Sequence, residues 1–131
     1  MRLGYLAVSS AAAVVLACGG SSSSVTGMNP TNTTPAPSGN VTIQDFSFSP
    51  ETVTVKAGQT VLWTNNGPSP HTATSDSGLW DSQSLAAPGG GGSPGGTFQF
   101  TFMQAGTFPY HCSIHPPSLY PNFRGVVVVT Q

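Results

Sequence analysis

Cys112 and His115 stand three residues apart in Tyr110-His111-Cys112-Ser113-Ile114-His115-Pro116-Pro117, directly after a run that alternates like a strand. A thiol and an imidazole at that spacing can reach one metal ion, and they lack a third ligand. The candidate lies 41 residues before Cys112, at His71, where Asn65-Asn66-Gly67-Pro68-Ser69-Pro70 runs into another strand-like stretch. A soft thiolate accepts a cuprous ion and imidazoles suit both oxidation states, so this trio is a trigonal set fit for copper, one ion per chain. His111 also adjoins Cys112, but neighbouring side chains of a strand point to opposite faces. It therefore reads as a surface or packing residue. Either half of the trio alone is weak, because a single Cys-x-x-His or Pro-His arises by chance in many domains.

The 131 residues allow one domain of about 100 residues and little else. Charged residues make up only 5%, with 16 Gly and 12 Pro, which argues against coiled coils, nucleic-acid surfaces and acidic disordered tails and favours strands and turns. Met1-Arg2 and the apolar run Leu3 to Ala17 read as a secretory signal over residues 1–17, too short to span a bilayer. Val15-Leu16-Ala17-Cys18-Gly19 resembles a bacterial lipobox, with Leu16 bulkier than that motif usually has. The resemblance implies that Cys18 becomes the acylated first residue; an ordinary secretory signal is the alternative. Cys112 then stands alone, and a lone thiol in an oxidising compartment is a liability or a ligand.

Residues 18–40 are dominated by Gly, Ser, Thr, Asn and Pro, which reads as a flexible tether. Some twenty residues of such coil have an end-to-end distance on the order of 25 Å. The location expected is the cell envelope, on the periplasmic side, with Cys18 held in the inner or outer membrane.

The elements that must position the trio lie in residues 41–131. Val41 to Phe48 alternates as one strand, Thr52 to Lys56 and Thr60 to Thr64 as two more, and His71 to Ser75 as a short fourth. Pro88 to Gly96 reads as a low-complexity surface insertion. Thr97 to Phe102 and Thr107 to Cys112 are expected to run antiparallel across a Gly106 turn, and Gly125 to Thr130 closes the fold with four valines that imply burial on both faces. The expectation is an all-β, Greek-key β-sandwich of about seven strands.

Asn65-Asn66 to Pro70-His71-Thr72, Gly106-Thr107-Phe108-Pro109-Tyr110 into Cys112 and His115, and Gly125-Val126-Val127-Val128 together resemble a plastocyanin-type cupredoxin across residues 41–131. The resemblance implies equatorial copper ligands at His71, Cys112 and His115 and a one-electron carrier. Its partners would be redox proteins such as c-type cytochromes, oxidases or other membrane electron-transfer complexes, with no nucleic acid. A copper protein for sequestration or delivery is the alternative. An enzyme is not expected, since further copper sites need more histidines than this chain offers.

The family's axial Met is missing. The loop supplies Leu119, Tyr120, Asn122 and Phe123 instead, so the expected site is three-coordinate or very weakly four-coordinate, with Phe123 or Leu119 over it. Met103 is excluded as an axial ligand by strand length, at roughly 20 to 30 Å from Cys112. Loss of a thioether donor disfavours Cu(II) and raises the reduction potential. Pro116, Pro117, Leu119, Tyr120 and Pro121, with Pro68 and Pro70 from the other loop, make an apolar surround for His115.

Overall fold

Runs in which apolar residues alternate with Thr, Ser and Gln set the architecture of residues 36–131, the part described by the computed structural model. The expected signal segment, Cys18 and most of the expected tether lie outside the described residues. The strands are β1 (Gly39–Gln44), β2 (Ser47–Ser49), β3 (Thr52–Lys56), β4 (Gln59–Asn65), β5 (Thr74–Ser75), β6 (Thr97–Phe102), β7 (Gly106–His111) and β8 (Arg124–Thr130). They form two four-stranded sheets, ordered β2-β1-β4-β6 and β3-β8-β7-β5. Pairs β1/β4 and β3/β8 are parallel, and the rest are antiparallel. The all-β sandwich is as expected, with eight strands.

Between the sheets, Val41, Ile43, Val61 and Trp63 from the first meet Val53, Val55, Tyr110, Val127 and Val129 from the second. Trp63 is fully buried, with Tyr110 edge-on at 5.6 Å and Trp80 at 5.8 Å. Phe48 then links Tyr110 to Phe123, at 4.7 Å from each, so the aromatic core runs continuously up to the loop after His115. Gly125 is required here, because a Cβ at that position would overlap the Tyr110 ring.

Four local expectations are corrected. Val41 to Phe48 is not one strand: a turn at Asp45 and Phe46 folds β2 back on β1, pairing Ile43 with Phe48. β6 and β7 do not pair, since β6 hydrogen-bonds to β4 and β7 to β5 and β8 in the opposite sheet. The four valines of β8 alternate between buried (Val127, Val129) and half-covered (Val126, Val128), because only one face of the central strand meets the core. The glycine-rich loop is exposed at its tip but not at its end. Gly95 is buried against the Asn65 carbonyl, where any Cβ would overlap, and Asn65 N–H donates to Gly96 O at 2.9 Å.

Candidate metal centre

Pairing of β5 with β7 sets Thr74 opposite His111 and so brings the loop before β5 alongside the end of β7. His71 and Cys112 meet there, and His115 returns from the following loop. The three side chains offer Nδ1, Sγ and Nδ1 within 4.8 Å of one another. Individual separations are 3.2 Å between the two imidazole nitrogens, 3.8 Å from Sγ to His71 and 3.5 Å from Sγ to His115. Donors bound at about 2.0 to 2.3 Å to a common ion lie about 3 to 4 Å apart, so the trio fits a metal without rearrangement. His71 and Cys112 are fully buried, and His115 is half-buried.

Hydrogen bonds hold the segments that carry His71 and Cys112. His71 exchanges both backbone hydrogen bonds with Leu85, at 3.1 and 2.8 Å, which fixes its backbone beside a second segment. Asn65, buried at the end of β4, holds the intervening loop: its Nδ2 donates to Ser69 O, Leu85 O and Ala86 O, and its Oδ1 accepts from Gly67 N–H at 3.0 Å. Thr72 ties this loop to the other one. Its N–H donates to Cys112 Sγ at 3.3 Å, and its Oγ1 accepts from Ser113 N–H at 2.7 Å. An N–H directed at sulfur stabilises the thiolate, the form that binds metal.

Asp45, which sequence reasoning did not single out, closes the back of His71. Its Oδ1 lies 2.5 Å from His71 Nε2, and its Oδ2 accepts from Ser69 Oγ at 2.8 Å. Desolvation works to raise the Asp45 pKa, but the bonds from His71 and Ser69 outweigh it and hold the carboxyl below its usual range. Burial lowers the pKa of His71 by disfavouring its charged form, and Asp45 recovers only some of that loss.

Among the side chains expected near the axial position, Leu119 is 73% exposed and Asn122 is also exposed, so both are directed into solvent. Tyr120 is half-buried, edge-on to His115 at 5.4 Å. Phe123 is fully buried, edge-on to His71 at 5.0 Å and tilted against His115 at 6.2 Å. Phe46 from the β1–β2 turn completes the apolar surround, stacked on Tyr120 at 4.2 Å and edge-on to His115 at 5.1 Å. Met103 is exposed just before the Gly106 end of β7, whereas Cys112 follows its other end. His111 faces away from the trio, with Nδ1 2.5 Å from Asp76 and Asp76 bound in turn by Arg124 at 3.2 Å.

The Cupredoxin-like domain family matches residues 10–129. The chain belongs to that family. This cupredoxin is 37% identical over 87 residues to a plastocyanin of Scenedesmus fuscus, an alignment covering 63% of the chain and 85% of that protein. It is 33% identical over 89 residues to an amicyanin of Paracoccus denitrificans, covering 68% of the chain and 63% of the relative. A copper-containing nitrite reductase of Thermus scotoductus shares the fold at a TM-score of 0.58 and 23% identity, over 74% of this cupredoxin and 23% of that enzyme. Cupredoxins bind one copper, and the His71, Cys112 and His115 group could hold that ion.

Proposed function

We propose that this cupredoxin carries single electrons through one copper ion held by His71 Nδ1, Cys112 Sγ and His115 Nδ1, with Phe123 where relatives have a thioether. The observation that carries the reading is the convergence of one thiolate and two imidazole donors in a largely buried pocket. Bound copper would supply a reversible one-electron couple. The chain does the rest. Thr72 N–H favours the thiolate, and Phe46 and Phe123 keep water from the pocket. Hydrogen bonds from Asn65 and Thr72 fix the ligand loops, so neither oxidation state needs a large rearrangement. His115 is the ligand whose ring reaches toward the surface, among Ile114, Phe46 and Leu119, which are 47%, 38% and 73% exposed. Electrons enter and leave there, and a redox partner docks by apolar contact. After Cys18 the side chains carry two cations against four carboxylates, a balance of −2, so electrostatic steering is weak.

The reading extends to a carrier and not an enzyme, acylated at Cys18 and held on the periplasmic side of a membrane, where cytochromes or oxidases exchange electrons with it. Its test is the copper-loaded protein. An intense charge-transfer band toward the red end of the visible, lost in Cys112→Ser, and a reversible one-electron titration at one copper per chain are expected. A colourless oxidised protein that still binds Cu(I) tightly would instead make it a sequestration or delivery protein. The anchor is tested by the mass of the mature protein from membranes, which should include acyl chains on Cys18.

A further inference from the structure

We propose that Asp45 is a positioning residue for the copper site, fixing the tautomer of His71 and favouring the oxidised ion through its charge. This rests on the copper reading above. An ionised carboxylate only accepts hydrogen bonds, so the 2.5 Å contact with Asp45 Oδ1 puts the imidazole proton on His71 Nε2. The lone pair of Nδ1 is then left facing Cys112 Sγ and His115 Nδ1, where a metal needs it. Such a carboxylate behind a ligating imidazole orients the ring and raises its basicity.

The contact is built into the local fold. Ser69 Oγ donates to the other carboxylate oxygen at 2.8 Å. Gly67 supplies the room: a Cβ there would sit 2.8 Å from Asp45 Oδ1 and 3.1 Å from His71 Nε2. His71 is fully buried and the Asp45 carboxylate is in direct contact with it, so the charge acts on the ring well within a screening length. A negative charge behind the ligand stabilises Cu(II) more than Cu(I). Asp45 therefore lowers the reduction potential, against the rise that loss of the thioether brings.

Two measurements test this. Nitrogen NMR of the metal-free wild-type protein should show His71 protonated at Nε2; protonation at Nδ1 would overturn the positioning role, and this readout needs no copper. Asp45→Asn keeps a shape that can still accept from Nε2 but removes the charge. It should weaken Cu(II) binding by about 10- to 100-fold and Cu(I) binding by less. At about 59 mV per tenfold of that difference for one electron, the potential rises by up to about 118 mV. If Asp45→Asn does not fold, Asp45→Ala, which also removes the charge, should shift the potential the same way. An unchanged or lowered potential at one copper per chain would overturn the tuning. Absence of a coloured oxidised state in the wild type would instead sink the carrier reading, with the tautomer result still standing for Asp45.

Discussion

Replacing Asn65 with leucine tests whether the loop that carries His71 is held by one buried amide. The side chain makes four hydrogen bonds, and its partners differ in what they keep after the substitution. Gly67 N–H still donates to Ile43 O at 3.1 Å, Leu85 O still accepts from His71 N–H at 3.1 Å, and Ala86 O still accepts from Gly96 N–H at 2.9 Å. Ser69 O has no second partner among the described residues. A stranded, partly buried carbonyl costs about 1 to 3 kcal/mol, and three weakened bonds cost about 0.5 kcal/mol each or somewhat more. The total is about 2.5 to 4.5 kcal/mol. For a domain of this size that is a fall in Tm of roughly 10 to 36 °C. Chemical and thermal denaturation of the metal-free protein measure it, and copper affinity should fall as the His71 loop loosens. A loss under about 1 kcal/mol would refute the reasoning and assign the loop's order to the His71–Leu85 bridge.

The glycine-rich loop gives a paired prediction. Gly90→Ala, which meets open space, should change stability by less than about 0.5 kcal/mol, whereas Gly95→Ala, whose Cβ overlaps the Asn65 carbonyl, should cost several times more. Equal Tm values for the two variants would contradict the packing. Phe123→Met restores a thioether two residues before Gly125 and should lower the reduction potential. A redox titration giving the same or a higher value would show that residue 123 does not reach the metal. Acidification should destabilise the metal-free protein. Folding lowers the His71 pKa, so the unfolded chain binds more protons once the pH falls below about 6.5, its ordinary value, and stability drops from there until the folded-state pKa is reached. The lowered carboxyl of Asp45 adds a further loss only below about pH 4. A Tm that stays flat from pH 7 to pH 5 would contradict the burial of a neutral His71.

Residue type and spacing made the grouping of His71, Cys112 and His115 legible, because Cys-x-x-His is local and a histidine between prolines and a strand is conspicuous. The alternating runs made the all-β class legible for a similar reason, since one buried face needs only a period of two. Strand partners were not legible: β6 and β7 adjoin in sequence, yet each finds stronger pairing in a different sheet. Asp45 was hidden more thoroughly. Continuous alternation from Val41 would put Ile43 and Asp45 on one face and Phe48 on the other, burying a carboxylate while exposing a phenylalanine. In the folded chain Val41, Ile43 and Phe48 are all buried, at 1%, 0% and 4% exposure. That parity slip between positions 43 and 48 requires a reversal between them, and it is a signal the sequence did carry. The reversal falls on Asp45 and Phe46, which frees both side chains from the sheet faces. One turns to His71 Nε2 and the other covers His115. The break in the pattern is therefore where the chain supplies the surroundings of the candidate metal centre, 26 residues before the first histidine of the trio.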